Sequence, residues 1–292
     1  MTGPVVIGLD GSPGSVTAAW WAAEEAARRR LPLVLLHSWT TQPLDVPIPQ
    51  ETQSKQRYGQ ELLQRLETEL LHRHGDLTLT TELVSDTAAH ALLDHSKGAS
   101  LLVLGSRGFG SAASFLLGSI SLHVLGLAQC PTVTVRAGDL AVEAGWGHPA
   151  AADRDEVVVG LSVAGPASDP LLEFSFATAE SYGIGVRVVR ALPRHAPHLT
   201  SPERADDRHK SEERTRLTST VAMWRQMFPD VPVVEQVVTG SAAHALLSAA
   251  ARSRLTVVGR HRHPSHLTWK LGPVAHSVLH HAPSPVAVVP HD

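Results

Sequence analysis

The run Gly105-Ser-Arg-Gly-Phe-Gly-Ser-Ala-Ala-Ser-Phe-Leu-Leu-Gly-Ser-Ile-Ser121 is the stretch of this chain best suited to chemistry. It follows the short apolar segment Leu101-Leu-Val-Leu104, which reads as a buried strand. Gly105 and Gly108 are expected to let the backbone leave that strand through conformations closed to other residues. Nine residues separate Gly108 from Gly118, and Ser119 then stands at the N-cap of an apolar-periodic helix containing Ile120, Val124, Leu125 and Leu127. A strand, a glycine loop and Gly-Ser opening a helix make an anion-binding arrangement. Free backbone N–H groups and the positive end of the helix dipole converge, and serine hydroxyls add neutral donors. Phosphate is the usual guest, so the stretch is expected to cradle the phosphates of a nucleotide. On spacing alone, the alternative is a plain turn and helix cap.

Two common nucleotide motifs are excluded. No Gly-x-x-x-x-Gly-Lys-Ser/Thr occurs, so there is no P-loop. Gly108-Phe-Gly110-Ser-Ala-Ala113 fits Gly-x-Gly-x-x-Ala, but no acidic residue follows at the ribose position, and Asp139 is too far on.

The elements that must position this stretch form an alternating series. A first strand, Pro4-Val-Val-Ile-Gly-Leu-Asp10, ends in Gly11-Ser12-Pro13-Gly14, and Ser12 or Ser15 can cap a helix running to about Arg30. Leu33 to Ser38 reads as a second strand, followed by a loop carrying Pro43, Pro47 and Pro49. A long amphipathic helix is expected from Gln50 to His74, with Leu62, Leu63, Leu66, Leu70 and Leu71 on one face. Then come a strand from Leu77 to Val84, a helix capped by Ser85-Asp86-Thr87 and ended by Gly98, the Leu101 strand, the glycine loop, the Ser119 helix, and a strand at Thr132–Val135. Such alternation implies right-handed crossovers and a mainly parallel α/β sheet.

The pattern then restarts. Residues 139–155, rich in Ala and Gly, read as a linker between domains at 1–138 and 156–292. Val157-Val-Val-Gly-Leu161 echoes Val5-Val-Ile-Gly-Leu9. Ala88-Ala-His-Ala-Leu-Leu93 recurs letter for letter as Ala242-Ala-His-Ala-Leu-Leu247, and Leu101-x-Val103-x-Gly105 as Leu255-x-Val257-x-Gly259. Cys130-Pro131-Thr-Val returns as Ser284-Pro285-Val-Ala. Two copies of one domain account for a length of 292 residues.

Composition narrows the function classes. The net charge is −3: residues 1–140 hold 10 basic and 13 acidic side chains, and residues 141–292 hold 15 of each. Neither half is a basic nucleic-acid binder by composition. No apolar run reaches the length of a membrane span, and the N-terminal residues do not read as a signal peptide. Cys130 is the single cysteine, so no intrachain disulfide or cysteine zinc site can form, and it reads as a small buried residue. Together these features point to the cytoplasm.

The spacing Gly105-x-x-Gly108, nine residues, Gly118-Ser119 resembles the ATP-binding signature of the universal stress protein family, Gly-2x-Gly-9x-Gly-Ser/Thr. With the internal repeat, the whole chain resembles a tandem member of that family. The resemblance implies two tandem Rossmann-like (adenine nucleotide alpha hydrolase-like) domains, each an open five-stranded parallel sheet with helices on both faces. It implies ATP, alone or with magnesium, as ligand of the first copy. Asp10, with Gly11, would meet the nucleoside, although an Asp here can also cap the first helix. The adenine would lie against backbone at His37-Ser38. Gly105, Gly108, Gly118 and Ser119, with Ile120 and Ser121 beside them, would take the phosphates, and Ser106 and Arg107 could assist. The family pairs domains through their last strands, so the copies would form a pseudo-dimer and chains could dimerise further. The function implied is a nucleotide-dependent stress regulator. The alternatives are slow ATP hydrolysis or adenylyl chemistry at the same rim, and a nucleotide-free dimerisation module.

The second copy departs from the signature. Gly259-Arg260-His261-Arg262 puts Arg where Gly108 would stand, Gly272-Pro273 replaces Gly118-Ser119, and Ser162 replaces Asp10. Proline fits a first helical turn but gives a phosphate neither N–H nor hydroxyl. This copy is expected to bind ATP weakly or not at all. His261-x-His263-x-x-His266 could hold a metal, but its Arg- and Pro-containing setting, without acidic or cysteine ligands, favours a solvated loop. His90 and His244 share a repeat position and are expected to pack. His280-His281 falls at a helix C-terminus, where positive charge is favourable. Residues 195–215 read as a charged, solvated connection entering a helix.

Overall fold

A computed structural model describes residues 3–40, 49–106, 117–145, 149–193, 202–262 and 271–292. The chain divides into two compact units, Met1–Ala151, and Ala152–Arg262 with Leu271–Asp292. Unit 1 runs β1 (Val5–Leu9), α1 (Pro13–Arg29), β2 (Leu33–Thr40), α2 (Pro49–Arg73), β3 (Leu79–Thr87), α3 (Ala88–His95), β4 (Leu101–Ser106), α4 (Ser119–Leu127), β5 (Thr132–Arg136) and the short α5 (Leu140–Glu143). Unit 2 repeats the series as β6 (Glu156–Leu161), α6 (Asp169–Tyr182), β7 (Gly185–Leu192), α7 (Pro202–Met227), β8 (Val233–Thr239), α8 (Ala242–Ala250), β9 (Ser253–His261), α9 (Pro273–His281) and β10 (Val286–His291).

Within unit 1 the strand order is β3-β2-β1-β4-β5, with parallel pairing throughout. Unit 2 has the same order, β8-β7-β6-β9-β10, also parallel. The order reverses between β1 and β4, and between β6 and β9. Right-handed crossovers then put α1 and α2 on one face and α3 and α4 on the other. Coverage of both faces explains why β1 and β4 read as unbroken apolar runs: Val5, Ile7, Leu101, Leu102 and Val103 are fully buried.

The repeat is visible in packing as well as letters. A Cβ on Gly8 of β1 would stand 2.9 Å from Leu92 Cδ2, and one on Gly160 of β6 would stand 2.7 Å from Leu246 Cδ1. Each copy therefore seats a leucine of the repeated Ala-Ala-His-Ala-Leu-Leu helix in a notch that glycine leaves in the central strand.

Local signals set the helix ends. Ser12, not Ser15, caps α1 and accepts from Ser15 N at 3.2 Å, with Pro13 at the first helical position. Thr87 caps α3, accepting from His90 N at 3.4 Å. On α2, Leu62, Leu63, Leu66 and Leu70 are buried as the period predicts, while Leu71 lies at the margin and stays exposed. Cys130 is buried. Part of the stretch expected to be linker is ordered on unit 1: Asp139 caps α5, and Glu143 Oε1 accepts from Thr17 Oγ1 at 2.8 Å and Gly138 N at 3.1 Å. The charged region around 195–215 is also different from expectation. Residues from Pro202 onward belong to α7, and Glu213 is buried, because a long helix covering the sheet must turn one face inward.

Candidate functional site

In unit 1 the carboxyl ends of β1, β2 and β4 and the N-terminus of α4 enclose one cavity. It lies where the strand order reverses, the place at which open parallel sheets take ligands. Its floor and one wall are apolar, from Leu9, Leu36, Leu104 and, on α3, Ala88, Ala91 and Leu92. Its polar groups come from Asp10, Ser12, Ser15, Ser38 and the α4 opening.

Asp10 follows β1 directly and is exposed. Its Oδ1 accepts from Ser12 N at 2.9 Å, which holds the carboxylate at the rim while Ser12 does the capping. Gly11 has φ +80°, and a Cβ there would lie 1.9 Å from the Tyr58 hydroxyl, so the turn is restricted to glycine by conformation and space together. Gly11 faces Tyr58 and is not part of the cavity wall.

Gly118 is the N-cap of α4, and Ser119 is its first helical residue, one place further in than expected. Glycine has no side chain to cap the helix. The N–H groups of the first turn, on Ser119, Ile120 and Ser121, thus have no intrahelical partner and open on the cavity. Ile120 is half exposed there.

Gly105 lines the cavity but not for the expected reason. It is a regular strand residue paired with Val135, and its φ is not positive. What demands glycine is close approach: a Cβ would stand 2.4 Å from the carbonyl carbon of Gly14 and 2.5 Å from Ser15 N. Conversely, a Cβ on Gly14 would stand 2.3 Å from the Ser106 carbonyl oxygen. The first turn of α1 rests backbone-to-backbone on the end of β4. Ser106 is buried, and among the described residues its hydroxyl has no hydrogen-bond partner, an unusual state for a buried donor. Arg107 and Gly108, the other predicted members of the cradle, lie outside the described residues.

At the far end, Ser38 Oγ donates to the Asp86 carbonyl and so ties β2 to β3. His37 is 6 % exposed, and its Nδ1 donates to the Leu9 carbonyl at 2.8 Å, fastening the ends of β1 and β2. A lone histidine at the end of an apolar run gave no sign of that role, and nothing in its spacing marked Tyr58. Asp86 accepts from the His90 ring and from Thr87 N, and these hydrogen bonds hold its carboxyl below the ordinary value even though it is exposed. His90 and His244 do not pack as expected. Both are exposed, because the repeated helix turns Ala91/Leu92 and Ala245/Leu246 inward and its third residue outward.

The sequence model of the universal stress protein family matches residues 1–136 and again residues 154–290. The chain belongs to the universal stress protein family. A universal stress protein of Mycobacterium bovis is 30 % identical over 293 residues, 97 % of this chain and 96 % of that one. One from Mycolicibacterium smegmatis is 29 % identical over 98 % of this chain and 96 % of its own length. Among solved structures, a universal stress protein from Archaeoglobus fulgidus superposes with a TM-score of 0.72 at 18 % identity, covering 99 % of this chain and 98 % of that one, which shows the shared fold.

The second copy of this universal stress protein rebuilds the rim with other groups. Arg190 of β7 holds the register position that His37 holds in β2, opposite Leu161 as His37 is opposite Leu9. Its guanidinium donates to the Ser162 carbonyl and reaches Glu213 at 3.4 Å. Glu213 also accepts from Arg216 at 2.7 Å. Gly259 repeats Gly105, yet its neighbours are side chains, His291 Nε2 at 2.6 Å and Leu171 Cδ2 at 3.1 Å from a built Cβ. α9 is capped by Gly272 and begins with Pro273, which removes one of the N–H donors that α4 keeps. Of the spaced histidines His261, His263 and His266, only His261 is described. Among the described residues, no group of three or more His, Cys, Asp or Glu is placed to hold a metal. No helix of the described residues is long and apolar enough to cross a membrane.

Proposed function

We propose that unit 1 binds ATP and that the bound state makes the chain a cytoplasmic, nucleotide-dependent regulator of a stress response. The observation that carries this reading is the first turn of α4, without a side-chain cap, opening on the same cavity as Asp10, with the Ser106 hydroxyl, which has no partner among the described residues, at the adjoining strand end. Backbone donors and a helix dipole suit phosphates. Asp10 suits ribose hydroxyls, and the apolar wall of Leu36, Ala88 and Ala91 suits a flat base. Among the described residues Asp10 is the sole carboxylate on the cavity wall, which favours holding the nucleotide over activating water to cleave it. In unit 2, Ser162 stands where Asp10 does, Arg190 is turned to Glu213, and Pro273 removes one N–H from the helix start, so its described rim is poorer in the groups that unit 1 offers.

The test is the nucleotide content of the purified chain, released by denaturation and resolved by anion-exchange chromatography. About one ATP per chain is expected from this reading. No released nucleotide and no thermal shift on adding ATP would overturn it. Ser119→Pro copies unit 2 at a position where proline is tolerated, so the protein should fold normally and bind ATP roughly a hundredfold more weakly, since both the N–H and the hydroxyl of Ser119 are lost as donors to the phosphates.

A further inference from the structure

Tyr58 on α2 stands behind the turn that carries Asp10. Its hydroxyl fills the space over Gly11: a Cβ built on that glycine would lie 1.9 Å from the hydroxyl oxygen and 3.0 Å from Cζ. Its ring meets His37 edge-on, with centroids 6.2 Å apart and planes inclined at 66°. His37 in turn donates to the Leu9 carbonyl at 2.8 Å, one residue before Asp10. Helix α2 comes this close because residue 59 is glycine; a Cβ there would lie 2.5 Å from His37 Cδ2 and 2.7 Å from Leu83 Cδ1. Tyr58 is nevertheless 50 % exposed, so burial of the ring is not what places it.

Unit 2 shows that the fold does not ask for this aromatic. Glu213 of α7 meets Arg190 as Gly59 of α2 meets His37, so exposed Glu212 is the counterpart of Tyr58. Beyond the matched pairs Leu9–His37 and Leu161–Arg190, Ser162 and Val163 stand where unit 1 has Asp10 and Gly11. The carboxylate, the glycine and the tyrosine occur together in one unit and are replaced together in the other.

We propose that Tyr58 is a positioning residue of the unit 1 cavity: from behind the turn it holds Asp10-Gly11-Ser12 in the shape that presents the Asp10 carboxylate to the ribose of a bound nucleotide, a role that rests on the nucleotide reading of that cavity. Gly11, at φ +80°, has the wide backbone freedom of glycine, and the hydrogen bond from Ser12 N to Asp10 Oδ1 at 2.9 Å is exposed. Such a turn keeps one shape only if its surroundings leave no room for others. The Tyr58 hydroxyl removes that room on one side, and His37 secures the strand end on the other. A turn fixed before the ligand arrives spares binding the cost of ordering it.

The experiment measures ATP affinity of the full chain by calorimetry. Tyr58→Ala should weaken ATP roughly fivefold, and Tyr58→Phe, which keeps the ring on His37, by less. In an Asp10→Ala background the Tyr58→Ala change should have almost no effect, because the group it positions is gone. In a Ser119→Pro background it should have its full effect, since α4 holds the phosphate end. Amide relaxation by NMR, without ligand, should show Gly11 and Ser12 loosened in Tyr58→Ala while the urea midpoint stays near that of wild type, as for other exposed side chains. Equal losses from Tyr58→Ala with and without Asp10, or a turn as rigid in Tyr58→Ala as in wild type, would overturn the role. A wild-type chain that does not bind ATP would overturn the nucleotide reading instead, and the relaxation measurement would then decide by itself whether Tyr58 holds the turn.

Discussion

The two rims start from one plan and end in different chemistry. In each unit the side chain opposite the end of the first strand reaches back to that strand's carbonyl group. In unit 1 it is His37, on Leu9, and in unit 2 it is Arg190, on Ser162 with Glu213 behind it. His37 uses its hydrogen bond within the sheet and leaves the cavity to Asp10 and the α4 donors. Arg190 brings a permanent charge to the rim and must be matched by a carboxylate from α7. The strand order is the same in both. The fold is therefore indifferent to which chemistry sits on its carboxyl edge, and function resides in a few rim residues.

The largest effect separating the two units should come from the paired glycines. At Gly105 a methyl group meets backbone atoms of Gly14 and Ser15, which cannot move without displacing α1. At Gly259 it meets the His291 ring and the Leu171 side chain, which can turn. Gly105→Ala should cost about 3 kcal/mol and Gly259→Ala about 1 kcal/mol, the two ends of the usual range for overpacking. Urea unfolding of both variants decides this; equal costs would mean that the close approach of α1 to β4 is not what fixes Gly105.

Arg190 comes next. Its partner Glu213 is buried, and Arg216, mostly exposed, shares that carboxylate. Arg190→Ala leaves the carboxylate half-compensated and should cost about 2 kcal/mol, below the 3–5 kcal/mol typical of a fully orphaned buried charge. Arg190→Met with Glu213→Leu should recover at least half of that loss in the same unfolding measurement. If the double variant is less stable than the single one, the ion pair is a net stabiliser of unit 2.

These contrasts show what was legible in the sequence. Strand and helix order could be read because buried parallel strands are apolar runs and the repeated Ala-Ala-His-Ala-Leu-Leu segment packs identically, Leu92 on Gly8 and Leu246 on Gly160. Gly105 and the Gly118–Ser121 opening were marked by type and spacing, Asp10 and Ser38 only by the family resemblance, and one cavity is lined by all of them. The reason for Gly105 was not legible, because a glycine needed for space looks like one needed for φ. Glu213 was hidden among the charges of α7, since its burial depends on Arg190, 23 residues earlier. His37 gave no signal because its partner is a backbone carbonyl, which has no letter in the sequence.

A smaller effect has opposite signs in the two units. Burial works against a charge on His95, but the Ala91 carbonyl and the Glu82 carboxylate accept from its two ring nitrogens, both at 2.8 Å, and carry its pKa above the usual value. That contribution is fully present below the unfolded pKa of about 6.5 and is lost as pH rises through the folded value. His291 is the reverse. Burial chiefly, with the neighbouring His261 and Arg260 and against the Asp292 carbonyl, lowers its pKa, so protonation is penalised in the folded state and stability falls as pH drops below about 6.5. His95→Ala should therefore lose more stability at pH 5.5 than at pH 8.5, and His291→Leu should remove a loss seen only on the acid side. The effect is at most about 1 kcal/mol at part-exposed His95 and on the order of 1 kcal/mol at buried His291. Identical pH profiles for wild type and both variants would remove histidine from the account of either unit.

The smallest contrast lies where the first helix of each unit ends. α1 closes on Arg30 with φ +53°, and α6 closes on Gly183 with φ +65°. The left-handed conformation costs a residue with a Cβ about 1 kcal/mol or more, and glycine avoids that at an entropic cost of roughly half as much. Arg30→Gly should then stabilise unit 1 by about 0.5 kcal/mol, and Gly183→Ala should destabilise unit 2 by about 1 kcal/mol. The Arg30 side chain also borders an open depression formed with Arg73, His74 and Asp76. A loss of stability in Arg30→Gly, measured by urea unfolding, would show that contacts of this side chain outweigh the backbone strain. Arg30 would then be kept for what its guanidinium does there, in a unit that tolerates a strained cap to keep it.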